Sequence, residues 1–144
     1  MVKARRRARA VALQTLFEVD LAAHDPSRVL QQRLQYCDLG QDNIEFARRL
    51  VEGVLENLPQ IDPTIREIAP EWPLDQMSPI DRNILRIAVF EMTLDPDVPI
   101  KVAINEAVEL AKLFGSESSR RFVNGALGTL ASSQMATETQ SEGK

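Results

Sequence analysis

The chain has 144 residues, 44% hydrophobic and 26% charged, with a formal net charge of -4, which suits one soluble domain with its own core. Its single cysteine, Cys37, and single histidine, His24, exclude an internal disulfide and a Cys-rich or His-paired zinc site, and they leave a histidine triad hard to build. No run of about 18 apolar residues is present, so no membrane-spanning helix is expected.

The pattern is helical from end to end, with no segment alternating apolar and polar residues in the manner of a strand. A first helix is predicted from about Lys3 to Ala23, with Ala8, Ala12, Leu16, Val19 and Ala23 on one face and Leu13, Phe17 and Leu21 on a second stripe. Asp25-Pro26 is an N-cap followed by proline at the first helical position, opening a short helix to about Tyr36 that Gly40 breaks. Asp42 and Glu45 have capping-box spacing and open a third helix to about Leu58, stopped by Pro59. Asp62-Pro63 repeats the cap-and-proline signal for a short fourth helix that Pro70 ends. Residues 71–77 read as a loop. Ser78-Pro79 opens a fifth helix, which Asp95-Pro96-Asp97 terminates. Pro99 starts a sixth, ending at Phe114-Gly115, and Ser116 caps a seventh that carries Phe122, Val123, Ala126, Leu127 and Leu130. Gly125 and Gly128 inside that last helix predict a close approach by another backbone. The resulting expectation is an all-α protein of about seven helices in one domain, residues 1–133. Two packed subdomains are expected at about 1–58 and 59–133, followed by a loose polar tail, 134–144.

Charge is unevenly placed. Lys3, Arg5, Arg6, Arg7 and Arg9 are five of the 17 basic residues, and the first acidic residue is Glu18, so the rest of the chain holds 12 basic against 21 acidic residues. A secretory signal is excluded by Gln14, Thr15, Glu18 and Asp20, which interrupt the apolar core it needs. A mitochondrial presequence would end in removable Ser-rich sequence, whereas this cluster runs straight into an acidic amphipathic helix. Low cysteine usage agrees with a reducing, cytoplasmic location.

No catalytic constellation is apparent: no Gly-rich phosphate loop, no HExxH and no DxDxDG. Glu106 and Glu109 read as a solvated helix face, one of them stabilising Lys112 or arginine neighbours. The chain is therefore expected to be no enzyme and to carry no metal or cofactor. The basic amino end is the strongest functional feature. Cations at a helix N-terminus oppose the macrodipole and repel one another, so five of them there gain most from a nearby anion. Composition alone leaves RNA, DNA and an acidic membrane open. A second candidate lies at Arg120-Arg121-Phe122-Val123-Asn124-Gly125, with guanidiniums for phosphate, an aromatic able to stack on a base and an amide able to read a base edge. Lys101, just after Pro99, adds charge at another helix start.

The run Val98-Pro99-Ile100-Lys101-Val102-Ala103-Ile104-Asn105-Glu106-Ala107, continuing to Lys112, closely resembles the signature of the NusB family of transcription antitermination factors. So do Arg120-Arg121-Phe122-Val123-Asn124-Gly125, the arginine-rich start Arg5-Arg6-Arg7-Ala8-Arg9, and Ile84-Leu85-Arg86-Ile87-Ala88 with Glu91. The resemblance covers about residues 4–131. It implies a bacterial RNA-binding protein of two packed helical subdomains that pairs with the ribosomal small-subunit protein NusE. The pair recognises the boxA element of nascent single-stranded RNA and joins the antitermination complex on RNA polymerase, notably on ribosomal RNA operons. Carried over residue by residue, Arg5, Arg6, Arg7, Arg9, Lys101, Arg121, Phe122 and Asn124 are the implied RNA contacts. Phe17 (where Tyr is common) and Asp81 are the implied NusE contacts. Family members occur as monomers or as homodimers. A helical adaptor without RNA specificity is the alternative, together with a stand-alone relative of the NusB-like domain fused to RNA cytosine methyltransferases. The methyl-donor domain and its cysteines are not in this chain.

Overall fold

A computed structural model describes the backbone of residues 3–142 and the side chains of residues 3–135. The described backbone holds seven α-helices and no strand: α1 Ala4–Ala22, α2 Pro26–Leu34, α3 Gln41–Glu56, α4 Leu58–Ile68, α5 Pro79–Thr93, α6 Ile100–Phe114 and α7 Ser119–Glu142. A 3₁₀ turn, Leu74–Gln76, interrupts the loop between α4 and α5. The all-helical expectation is met, and several ends form as the local chemistry dictates. Asp25 accepts from the Arg28 N–H and Ser78 from the Asp81 N–H, each satisfying an otherwise orphaned donor at a helix start.

Four local expectations need correcting. The fourth helix starts at Leu58, with Pro59 in its first turn and Pro63 inside it. Pro59 opens the helix because a first-turn residue needs no N–H partner. Asp62 does not cap it; its carboxylate instead accepts a two-pronged fork from Arg86 at 2.9 and 3.0 Å. The third helix has Gly40 at its N-cap, with no side-chain cap, so the Asp42–Glu45 capping box does not form. The last helix continues past Ser133 to Glu142, because no proline or glycine follows Gly128 until Gly143. Of the expected tail, residues 143–144 and the side chains from 136 on lie outside the described residues. Gly125 and Gly128 face open space, with nothing near where a Cβ would stand. The close approach occurs instead at Gly53 in α3, where a Cβ would lie 2.4 Å from the ring of Phe90 in α5.

The common element is α5, which touches α1, α3, α4, α6 and α7. Its sequence explains this: Ile84, Leu85, Ile87, Ala88, Val89, Phe90 and Met92 are all buried, so the helix is apolar around most of its circumference. α1 lies against α2, α3 and α5, while α6 and α7 pack on each other and on α5. Polar clamps fix α5 near its start. Arg82 reaches Asp20 of α1 at 2.7 Å and the Leu74 carbonyl at 2.9 Å, and Asn83 donates to the same Asp20 at 3.0 Å. Burial pushes the Asp20 carboxyl up, but hydrogen bonds from Arg82 and Asn83, with the charges of Arg82 and Arg86, prevail and hold it below its ordinary value. These bonds tie the end of α1, where Asp20 lies, to the start of α5.

Candidate nucleic-acid interface

The first turn of α1 has no side-chain cap and no acidic residue, so its cations receive no compensation from their own turn. Compensation comes from other helices and divides the cluster into three kinds. Arg9 is buried, 4% exposed, and its fork meets the Glu91 carboxylate of α5 at 3.0 and 2.8 Å. Glu91 is itself 1% exposed, so this is a buried, charge-assisted pair joining α1 to α5. Arg6 is half-buried and forks onto Glu106 of α6 at 2.8 and 3.3 Å, with Glu109 at 4.0 Å. The Glu106 hydrogen bond raises the Arg6 guanidinium above its ordinary value against the opposing effect of burial. Arg5 and Arg7 are exposed. Arg5 lies 4.2 Å over the ring of Phe46, and the Arg7 guanidinium has no hydrogen-bond or ion-pair partner among the described residues.

Helical spacing points Lys3, Arg6 and Arg7 away from the Ala8/Ala12/Leu16 face and sets Arg5 and Arg9 nearer its margin; the structure buries Arg9, leaves Arg5 and Arg7 exposed and half-buries Arg6. Arg9 falls on the buried side because it lies one turn past Arg5, next to Ala8 and Ala12 on the packed face. Glu106 and Glu109 divide in the same way. Glu109 pairs with Lys112 at 3.6 Å, as its helical spacing suggests, while Glu106 reaches back 100 residues to Arg6. Sequence reasoning overlooked Phe46 and gave Glu91 no role. Glu91 carried a signal, a carboxylate amid the buried Ile87, Ala88 and Met92; Phe46 carried none, because an aromatic at helical spacing reads as core.

The second group sits on α7. Arg121 and Asn124 are exposed, and Phe122 is half-buried, packed against the core at its inner edge. Phe122 also lines a cleft of about 340 Å³ together with Trp72, Gln76, Met77, Asp81 and Ser118. Arg120 and Arg121 border an adjoining serine-rich hollow with Ser116 and Glu117. Lys101 is exposed in the first turn of α6. No ion pair or hydrogen bond among the described residues links the α1 cations directly to α7. The connection runs through Glu106 and the packing of α6 on α7.

Asp81 is 9% exposed and shares the Phe122 cleft. Burial pushes its carboxyl above the ordinary value, a hydrogen bond with Ser119 opposes this, and its Oδ1 has no partner among the described residues. Capping of α5 belongs to Ser78, so the Asp81 side chain is not engaged in it. Phe17 is half-buried on α1 and does not line that cleft; the two regions meet through Asp20, one turn past Phe17, which pairs with Arg82 beside Asp81.

Fold and cation arrangement together define a small helical protein that offers a partly compensated arginine cluster at the open end of its first helix. The chain belongs to the NusB family, whose model matches residues 6–132. It is 46% identical over 142 residues to the transcription antitermination protein NusB of Dehalococcoides mccartyi (strain CBDB1), with 99% of each chain covered. Its fold is similar to that of T. maritima NusB, with a TM-score of 0.82, 37% identity, and coverage of 92% of this chain and 93% of that one. It also resembles a chain in the crystal structure of antitermination factors NusB and NusE in complex with dsRNA. That match has a TM-score of 0.83 and 25% identity, covering 92% of this chain and 99% of that one.

Proposed function

We propose that this protein is an RNA-binding transcription antitermination factor that acts with NusE. In this reading the pair binds boxA in nascent single-stranded RNA and supports processive transcription of ribosomal RNA operons. It works in the cytoplasm and without catalysis; no helix among the described residues is long and apolar enough to cross a membrane. The observation that carries the reading is the exposed Arg5 and Arg7 beside Arg6 at the uncapped start of α1, on the fold of the NusB family. A guanidinium presents a planar fork of donors that suits phosphate, and several at one helix end bind a backbone with little regard to sequence. Selectivity then comes from base contacts at Phe122 and Asn124, with Arg121 and Lys101 adding phosphate contacts. Arg9 is left out of the contact set, since Glu91 occupies its fork. Phe17 and Asp81 are assigned to the NusE side.

The test is titration of a boxA RNA and a scrambled RNA of equal length, each with and without NusE. The expected result is tighter binding of boxA, with NusE and RNA strengthening each other's binding by one common factor, as linkage requires. Equal binding of both RNAs in the presence of NusE overturns the specificity. Absence of binding to either RNA leaves a protein adaptor.

A further inference from the structure

Three guanidiniums surround one phenyl ring. Arg5 lies 4.2 Å from the Phe46 centroid, Arg9 4.9 Å and Arg49 5.6 Å. Phe46 itself is 3% exposed and belongs to the core, so the ring cannot shift to follow a mobile side chain. Two of the three cations have carboxylates of their own: Arg9 is held by Glu91, and Arg49 comes within 3.9 Å of Asp95. Arg5 has no carboxylate partner among the described residues, and it is the exposed member.

We propose that Phe46 is a positioning residue for RNA binding, holding the Arg5 guanidinium in place at the open end of α1 so that a phosphate meets an ordered fork. The proposal rests on the RNA-binding reading above. Its chemical basis is the difference between an aromatic and an acidic anchor. A carboxylate orders an arginine by occupying its N–H donors and cancelling its charge, as Glu106 does for Arg6. An aromatic face attracts the cation through the ring quadrupole. The five N–H donors lie in the guanidinium plane and stay open to an anion, and the charge remains whole. Arg5 and Arg9 stand one helical turn apart over the same ring, so the Glu91–Arg9 pair fixes the register in which Arg5 meets it.

The experiment is a double-mutant cycle of Phe46→Leu and Arg5→Ala, read by titration of single-stranded boxA RNA at constant salt, with thermal melting of each variant to establish its folded fraction. With Arg5 present, Phe46→Leu is expected to weaken binding per folded molecule by about 2–5-fold, the scale of one exposed cation–aromatic contact. In the Arg5→Ala background the same substitution is expected to change it by less than about twofold. Phe46→Tyr keeps the ring face and is expected to bind as the parent does. Equal weakening in both backgrounds overturns the proposal and makes Phe46 an ordinary packing residue. Arg5→Ala with undiminished RNA affinity overturns the assignment of Arg5 as an RNA contact as well, which separates that failure from a failure of positioning alone. Should Phe46→Leu not fold, NMR of the unmodified protein decides. The Arg5 Nε–H resonance is expected upfield of its random-coil position and unmoved from the ring when boxA RNA saturates the protein. A random-coil position, or loss of the ring shift on binding, refutes the positioning role.

Discussion

Glu91→Leu should strand a buried guanidinium. Arg9 and Glu91 are 4% and 1% exposed and meet through two hydrogen bonds, so removing the carboxylate leaves a charge that water cannot reach without opening the α1–α5 contact. Breaking such a pair from one side costs about 3–5 kcal/mol. With an unfolding entropy of about 2.1 cal/mol/K per residue, a chain of this length has roughly 0.3 kcal/mol/K, so the midpoint should fall by about 10–16 °C. The nearby Phe46 ring, 4.9 Å from Arg9, offsets part of the loss and places the outcome toward the lower end. The double variant Arg9→Leu/Glu91→Leu replaces both charges by apolar groups and should recover most of the stability, because desolvation of both ions is avoided together. Differential scanning calorimetry of the parent, the single variant and the double variant measures this directly. RNA titration across salt concentrations supplies the functional half. The folded double variant should keep the parent's log–log salt slope, whereas Arg7→Ala should flatten it by about 0.7, the value for one single-stranded phosphate contact. A midpoint loss below about 3 °C for Glu91→Leu would refute the reasoning, since about 1 kcal/mol is what a solvent-relaxed pair is worth. A reduced slope in the double variant would put Arg9 on the RNA.

Three further outcomes are expected. Phe122→Ala should lower RNA affinity by about 1–3 kcal/mol if the ring stacks on a base, and should cost less stability than the roughly 3–5 kcal/mol of a fully buried phenylalanine; a large melting loss with parental affinity per folded molecule assigns it to the core. Gly53→Ala should destabilise by about 1–3 kcal/mol in denaturant titration, because its Cβ would overlap the Phe90 ring and the strain exceeds the helix-propensity gain; a stability increase would show that the ring yields freely. Asp20 and Asp81 should respond to acid in opposite senses. The lowered Asp20 carboxyl contributes stability that is complete above its unfolded pKa and disappears as pH falls through the folded value, so the deficit of Asp20→Asn should shrink below about pH 4. The raised Asp81 carboxyl carries a penalty that is complete above its folded pKa and vanishes below the unfolded one. Asp81→Asn should therefore be relatively more stable near neutrality than at about pH 3, and pH-independent differences in urea titrations would contradict both assignments.

Helix number and type were legible from periodicity and punctuation. Asp25-Pro26 and Ser78-Pro79 acted as local signals, because a cap and a first-turn proline need only their own neighbours. Pro59 and Pro63 show where that reasoning stops: both residues suit a helix start, and the Asp62–Arg86 pair, 24 residues apart in sequence, favours the earlier one. The candidate site has the same character. The basic residues of α1 were visible as a cluster, but which of them faces solvent depends on Glu91, Glu106 and Phe46, contributed by three other helices. For Asp81 the family resemblance implies a partner-facing acid. The serine three residues before it supplies the cap, and burial among the Phe122 cleft residues, a tertiary property, decides its protonation behaviour.

The Arg6–Glu106 clasp spans 100 residues of chain. A ribosome adding about 5–20 residues per second needs roughly 5–20 s to travel from one to the other, so Arg6 emerges long before its acid exists. During that interval the nascent chain displays its basic amino end without the counter-charge of α6. Completion of α6 tempers this charge, and the finished protein meets RNA with Arg6 held against Glu106 while Arg7 stays open. Order of synthesis therefore gives the amino end two electrostatic lives: a strongly cationic one in the unfinished chain, and a moderated one in the folded protein.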